Sequence, residues 1–226
     1  MTTLILATRN AHKVQEIRAI LGSRFRYLTM DAFPEAPNVS EDQRTFTDNA
    51  VKKARELAKW LQRLPALDLR VPGTSASVLA DDSGLEVDAL GGAPGIHSAR
   101  FAALDDPNAS PLQNSPDATN NEKLLRLLKD VPREKRTARF RCVVSLIRVK
   151  PPERVLAGQL FEGVCEGSIQ FAPSGQSGFG YDPLFIPHEY RRSFAELEED
   201  VKNRISHRAQ ALLKMKDYLE KLVLWS

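Results

Sequence analysis

Apolar positions first cluster in LILAT, residues 4 to 8, and then recur at helical spacing in AHKVQEIRAIL, where Val14, Ile17 and Leu21 share one face. The chain therefore opens strand, tight loop, helix, with Thr8, Arg9 and Asn10 in the loop. In FTDNAVKKARELAKWLQRL, the residues Phe46, Ala50, Ala54, Leu57 and Leu61 form one stripe of a second helix. PALDLRVPGTSAS breaks that helix, and the strand VLA follows. This strand is expected to end on two adjacent acids, Asp81 and Asp82, in LADDSGLEVDALGGAPGIHSARFA, residues 79 to 102. Residues 105 to 117 read as a loop, and NNEKLLRLLKD as a short amphipathic helix. Residues 139 to 149 and 161 to 171 read as strands, paired antiparallel because their connection is short and contains Pro151 and Pro152. Ser193 with Glu196 fits a capping box, and Ser206 fits the cap of a last helix carrying Ala209, Leu213, Lys216 and Leu219. Strands alternating with helices early and consecutive strands later predict an α/β protein with a mixed sheet.

Composition changes this picture little. The 226 residues, 42% apolar and 27% charged, suit a folded globular chain that needs no disulfides, and no internal repeat is present. Cys142 and Cys165 lie in strand-like runs without C-x-x-C spacing and read as buried thiols. The apolar run near the start is too short for a signal peptide, and no stretch approaches membrane-spanning length, so a cytoplasmic location away from any membrane is expected. The net charge of +3 is spread among nearly as many acids, which does not make a nucleic-acid surface. PREKRTARFRC, from Pro132, reads as a solvated loop feeding a strand, with contact to a phosphate backbone as the alternative.

Candidate chemistry begins at the first loop. A strand, a short polar loop and a helix N-terminus make an anion site, and Thr8, Asn10 and Lys13 add donors. Lys13 in the first helical turn is unfavourable beside the positive dipole end, and an anion between them would relieve this; a plain cap is the bland alternative. Asp81 and Asp82 are costly at the edge of a buried strand unless something pairs with them, either solvent at a turn or a metal. On an extended strand they point to opposite faces, so one of them enters a given site. Glu41 and Asp42 precede the second helix, and Lys52 and Lys53 lie within it. Carboxylates with a lysine nearby suit Mg²⁺ and a polyphosphate together, although for Glu41 and Asp42 taken alone a solvated loop is the favoured reading. GFGYDP, residues 178 to 183, offers aromatics between glycines as a platform for a base, or simply turn and core residues. ISHR places His207 and Arg208 in a first helical turn, both able to donate to a carbonyl or phosphate. GQSGFG lacks the Lys and Ser or Thr of a P-loop, and a G-x-S-x-G elbow is absent.

In chain order, LATRNAHK, TFTDNAVKKA, LADDSGLEVDALGGAPGIHSARFA, FEGVCEGSI, GFGYDPLFIP and ISHRAQAL closely resemble the inosine triphosphate pyrophosphatase family across essentially the whole chain. The resemblance implies Mg²⁺-dependent hydrolysis of non-standard purine nucleoside triphosphates (dITP, ITP and XTP) to the monophosphate and pyrophosphate. It implies that Thr8, Asn10 and Lys13 form the phosphate loop and that Lys53 meets the phosphates. Glu41 and Asp82 would hold metal, with Asp82 also the general base, Asp81 its support and Ser83 a substrate contact. Phe179, Gly180, Tyr181 and Asp182, with Lys202, His207 and Arg208, would form the base pocket. Arg9 stands where a small residue is often found, so the loop bends differently or the guanidinium itself reaches the phosphates. The implied fold is one domain over residues 1 to 226, a mixed β-sheet flanked by helices in two lobes with the active cleft between them, acting as a homodimer. A nucleotide-binding regulatory module and a nucleic-acid-binding protein using residues 133 to 141 are the competing readings.

Overall fold

The computed structural model describes residues 2 to 64, 76 to 108, 110, 113 to 149 and 158 to 224. Expectations for residues 65 to 75 and for Pro151-Pro152 lie outside them. In chain order the strands are β1 (Thr3–Leu6), β2 (Arg26–Leu28), β3 (Ala76–Val87), β4 (Thr137–Val149), β5 (Gln159–Ile169) and β6 (Phe185–Pro187). The helices are α1 (Ala11–Leu21), α2 (Phe46–Leu61), α3 (Asp117–Leu127), α4 (Glu199–Ile205) and α5 (His207–Leu224). The strands form one sheet in the order β2-β1-β3-β4-β5-β6. β1 runs parallel to both β2 and β3, whereas β5 and β6 are antiparallel, so the sheet is mixed and the class is α/β, as the pattern predicts. Among the described residues no helix is long and apolar enough to cross a membrane.

The chain divides into two compact units. The first comprises Met1–Asp82, Val143–Glu162 and Ala211–Ser226. All four residues of β1 are buried, which suits a short strand with parallel neighbours on both sides. The predicted stripe of α2 is buried, and Ala54, Leu57 and Leu61 pack with Ile5, Phe33, Val78 and Ile147 in its core. The second unit comprises Ser83–Cys142 and Gly163–Gln210. Leu85, Val87, Leu124, Phe140, Phe185 and Phe194 form its core, with the rings of Phe140 and Phe185 4.7 Å apart and those of Phe185 and Phe194 5.3 Å apart.

Several local expectations are corrected. β3 does not end at the acids but continues through Asp81 and Asp82 to Val87, because the carboxylates find protein partners that let them stay in the sheet. The helix expected from Asn120 begins earlier, at Asp117. Half of the Ser193 capping box forms: the Ser193 backbone N–H donates to Glu196 Oε2 at 2.9 Å. It closes a turn, however, since the Ser193 hydroxyl donates to the Ser174 carbonyl, and α4 starts only at Glu199. Ser206 does cap α5, accepting from the Ala209 N–H at 3.1 Å. In the basic stretch Arg136 is buried rather than solvated and donates to the carbonyls of Val131, Leu128 and Gln170.

Candidate active site

In the first unit, the loop after β1 is arranged by its own polar residues. Thr8 Oγ1 accepts from the Asn10 N–H at 3.2 Å, and Asn10, as the N-cap of α1, accepts from the Lys13 N–H at 3.1 Å. The backbone N–H groups of Asn10 and Lys13 are thus already bonded within the loop. Lys13 Nζ lies 3.0 Å from Asp81 Oδ2. Arg9 is exposed, and its Nε donates to Asn38 Oδ1 at 3.4 Å, so the loop keeps an ordinary capped form and the guanidinium turns toward the segment leading to Glu41.

Alternation along β3 separates the two acids as expected. Asp81 meets Lys13 of α1, and Asp82 meets α2. Lys53 Nζ is the centre of the second group: it lies 2.8 Å from Glu41 Oε1, 3.2 Å from Asp82 Oδ1 and 2.5 Å from the Asp81 carbonyl oxygen. Asn49 completes the group by donating to Asp82 Oδ2 at 3.0 Å. The flanking loop is fastened by Lys52, which reaches Ser40 Oγ at 2.9 Å and Asp42 Oδ1 at 2.6 Å.

The two carboxyls that share Lys53 are pushed in opposite directions. Burial is the largest influence on Asp82 and raises its pKa above the usual carboxylate range, against the opposing charge of Lys53. Burial also acts to raise Glu41, but Lys53 and then Lys13 outweigh it and hold the carboxyl below its usual value. Burial lowers Lys53, yet Asp82, Glu41 and Asp81 together keep its ammonium above the ordinary lysine range. Among the described residues no three His, Cys, Asp or Glu side chains gather as a metal cage. Glu41 and Asp82 converge on the Lys53 ammonium, and carboxylates so placed are the donor type that a small hard cation takes alongside water and phosphate oxygens.

The second unit assembles the other predicted residues. Arg208, at 2% exposure among the most buried large side chains, donates from Nη2 to Ser83 Oγ at 2.9 Å. His207 stacks on Phe140 at 4.7 Å with an interplanar angle of 11°. Lys202 Nζ lies 2.5 Å from Asp182 Oδ2, which also accepts from the Phe179 N–H at 2.8 Å. Both Lys202 and Arg208 approach the Phe179 ring, at 4.7 Å and 5.7 Å from its centroid. GFGYDP, open between a platform for a base and turn and core residues, places Tyr181 on the core side. Tyr181 is buried in the core and its hydroxyl donates to the Ser98 carbonyl at 2.9 Å, leaving Phe179 as the partly exposed aromatic.

Three residues here escape sequence reasoning. Asn49 carries a visible but unused signal, a polar side chain on the buried stripe of α2 one turn before Lys53. Asp117 and Asn121 clamp the Phe179 turn from α3: the Gly180 N–H donates to Asp117 Oδ2 at 2.7 Å, and Asn121 Nδ2 donates to the Gly180 carbonyl at 3.0 Å. Nothing local marks those two, since their partner lies about sixty residues further along the chain.

Together these features define an α/β protein with buried acids and lysines gathered at a central strand and a cation-flanked aromatic turn. The description of the Ham1 family matches residues 4 to 218, and the chain belongs to that family. It is 44% identical over 220 residues to the dITP/XTP pyrophosphatase of Desulforamulus reducens, covering 97% of this chain and 96% of that protein. Identity to the dITP/XTP pyrophosphatase of Geobacillus kaustophilus is 43% over 224 residues, covering 99% and 97%. The solved HAM1 protein from Coxiella burnetii has a TM-score of 0.76 at 35% identity, covering 98% of this chain and 100% of that one.

Proposed function

We propose that this protein hydrolyses dITP, ITP and XTP to the monophosphate and pyrophosphate with Mg²⁺, and so clears non-standard purines from the nucleotide pool. The observation that carries the reading is the Lys53 ammonium bound at once to Glu41, to Asp82 and to the Asp81 carbonyl. A cluster of this composition suits a metal–triphosphate complex, and curated relatives across the whole chain are dITP/XTP pyrophosphatases.

In this reading Thr8, Arg9, Asn10 and Lys13 bind the phosphates, and Glu41 and Asp82 hold the metal. Mg²⁺, when bound, supplies neutralisation of phosphate charge and a lower pKa for the attacking water. Asp82 accepts the proton of that water as its oxygen forms a bond to phosphorus. The bond between the α phosphorus and the bridging oxygen breaks, and its electron pair leaves with pyrophosphate. Lys13 and Lys53 offset the charge that develops on the leaving group, while Asp81 keeps Lys13 in place.

Phe179, with Gly180, Tyr181 and Asp182, receives the base, Tyr181 and Asp182 acting by holding the turn. Ser83, Lys202, His207 and Arg208 complete the recognition. Donors from His207 and Arg208 suit the C6 oxygen of hypoxanthine or xanthine and face another donor in adenine. An unpaired buried donor costs about 1–3 kcal/mol, which supports discrimination against ATP. In the 133 to 141 stretch Arg136 is bonded to carbonyls, Arg139 to Asp88 and Glu166, and Arg141 lies 3.6 Å from Glu86, which leaves exposed Arg133 and Lys135 as the cations turned to solvent and favours a small-molecule substrate over nucleic acid. The same reading carries a homodimer in the cytoplasm.

Incubation with Mg²⁺ and a panel of dITP, ITP, XTP, GTP and ATP tests this. Equimolar monophosphate and pyrophosphate from the first three is expected. Orthophosphate as the sole product, or ATP turned over as well as dITP, would reject the reading. Asp82→Asn, nearly isosteric, is expected to lower turnover by about 10²–10⁴-fold while the protein stays folded.

A further inference from the structure

The two carboxylates assigned to the metal come from separate segments, Glu41 from the loop before α2 and Asp82 from β3. Two like charges in a poorly solvated site repel, so their spacing must be imposed by other groups. Lys53 supplies one restraint, through Glu41 Oε1 and Asp82 Oδ1. Asn49 supplies a second. Its Oδ1 accepts from the Gln43 backbone N–H at 3.0 Å, two residues beyond Glu41, and its Nδ2 donates to Asp82 Oδ2 at 3.0 Å.

The partners themselves fix the orientation of this amide. A backbone N–H can only donate and an ionised carboxylate only accepts, so a flipped side chain would lose both bonds. Asn49 is 1% exposed and stands four residues before Lys53, on the same face of α2. The two oxygens of Asp82 are therefore held by two residues of one helix face, and the same amide fastens the loop that carries Glu41. Both bonds are long-range or cross-segment, spanning 33 and 6 residues, so neither follows from local chain geometry.

We propose that Asn49 is a positioning residue that sets the Glu41–Asp82 spacing for a divalent cation by fastening the metal loop to β3 through one side-chain amide. It does not touch the substrate in this role and acts only through its bonds to Asp82 and to the Gln43 backbone. The turnover arm of the test rests on the pyrophosphatase reading; the metal arm does not.

Asn49→Leu keeps the size and removes both bonds without adding charge, and Asn49→Ala serves as a second variant should the first fail to fold. Mn²⁺ is titrated into each protein without nucleotide and followed by electron paramagnetic resonance, and kcat and KM are measured with dITP. Mn²⁺ affinity and kcat are each expected to fall on the order of 10–100-fold, with KM changed by less than about threefold. A purely structural role would lower the urea midpoint and leave Mn²⁺ affinity and kcat of the folded protein unmoved. A folded Leu or Ala variant that binds Mn²⁺ like the parent overturns the proposal, as does a parent that binds no Mn²⁺. Should the parent bind Mn²⁺ yet leave dITP intact, the pyrophosphatase reading fails and the metal titration still decides the role of Asn49.

Discussion

Lys202 and Asp182 form a buried ion pair in the second unit, Nζ to Oδ2 at 2.5 Å, with side-chain exposures of 7% and 4%. The same Asp182 oxygen accepts the Phe179 N–H, so the pair also sets the turn that presents the Phe179 ring. Removing one partner leaves the other charge buried with too little compensation. Lys202→Met is therefore expected to destabilise the protein by about 3–5 kcal/mol, read from urea unfolding. Adding Asp182→Asn should restore much of that stability. A Lys202→Met protein as stable as the parent would show that the pair contributes nothing.

Gly178 stands against the same carboxylate. Its φ of +78° lies in the left-handed region, and a Cβ built there would come within 2.1 Å of Asp182 Oδ2. Gly180, with φ of +63°, has nothing within 4 Å of such a Cβ. Gly180→Ala should thus cost only the backbone conformation, about 1–2 kcal/mol. Gly178→Ala adds displacement of Asp182 from Lys202 and from the Phe179 N–H, and should cost clearly more. Paired denaturation curves check the order, and equal losses would remove the steric account.

His97 provides a pH dependence that involves no residue assigned to metal or substrate. Burial, and then the neighbouring Arg100 charge, hold its imidazole below the usual value, and its buried Nδ1 has no hydrogen-bond partner among the described residues. With the folded pKa depressed below the unfolded value of about 6.5, the unfolded chain binds the proton more readily. The stability contributed by the neutral ring is present above about pH 6.5 and is lost as pH falls through the folded pKa. His97→Phe should therefore show a smaller drop in Tm between about pH 7 and about pH 5 than the parent. An equal drop in both would dismiss His97 as a source of acid sensitivity.

Much of the fold is legible in the residues themselves. The stripe of Phe46, Ala50, Ala54, Leu57 and Leu61 is the buried face of α2, and the short run at the start is β1, since burial follows the period of the element. The polar caps are legible for the same local reason: Asn10 and Ser206 each reach an N–H three residues on. Ser193 shows where this fails. Its local bond to Glu196 forms, yet the hydroxyl goes to Ser174, nineteen residues away, and the helix begins later.

The sequence by itself determined the class of the sheet, helices α1, α2 and α5, the family resemblance and the residue types able to meet phosphate, metal and base. Alternation on β3 also determined that Asp81 and Asp82 would part. Only the tertiary structure decided that Asp81 meets Lys13 while Asp82 meets Lys53 and Asn49, that β3 runs on through both acids, and that Tyr181 belongs to the core. The physical reason is range. Periodicity and capping act over one or two turns of chain, whereas the Lys53–Asp82 contact spans 29 residues and Arg208–Ser83 spans 125. Which cation reaches which acid follows from packing and from the cost of leaving a buried charge alone.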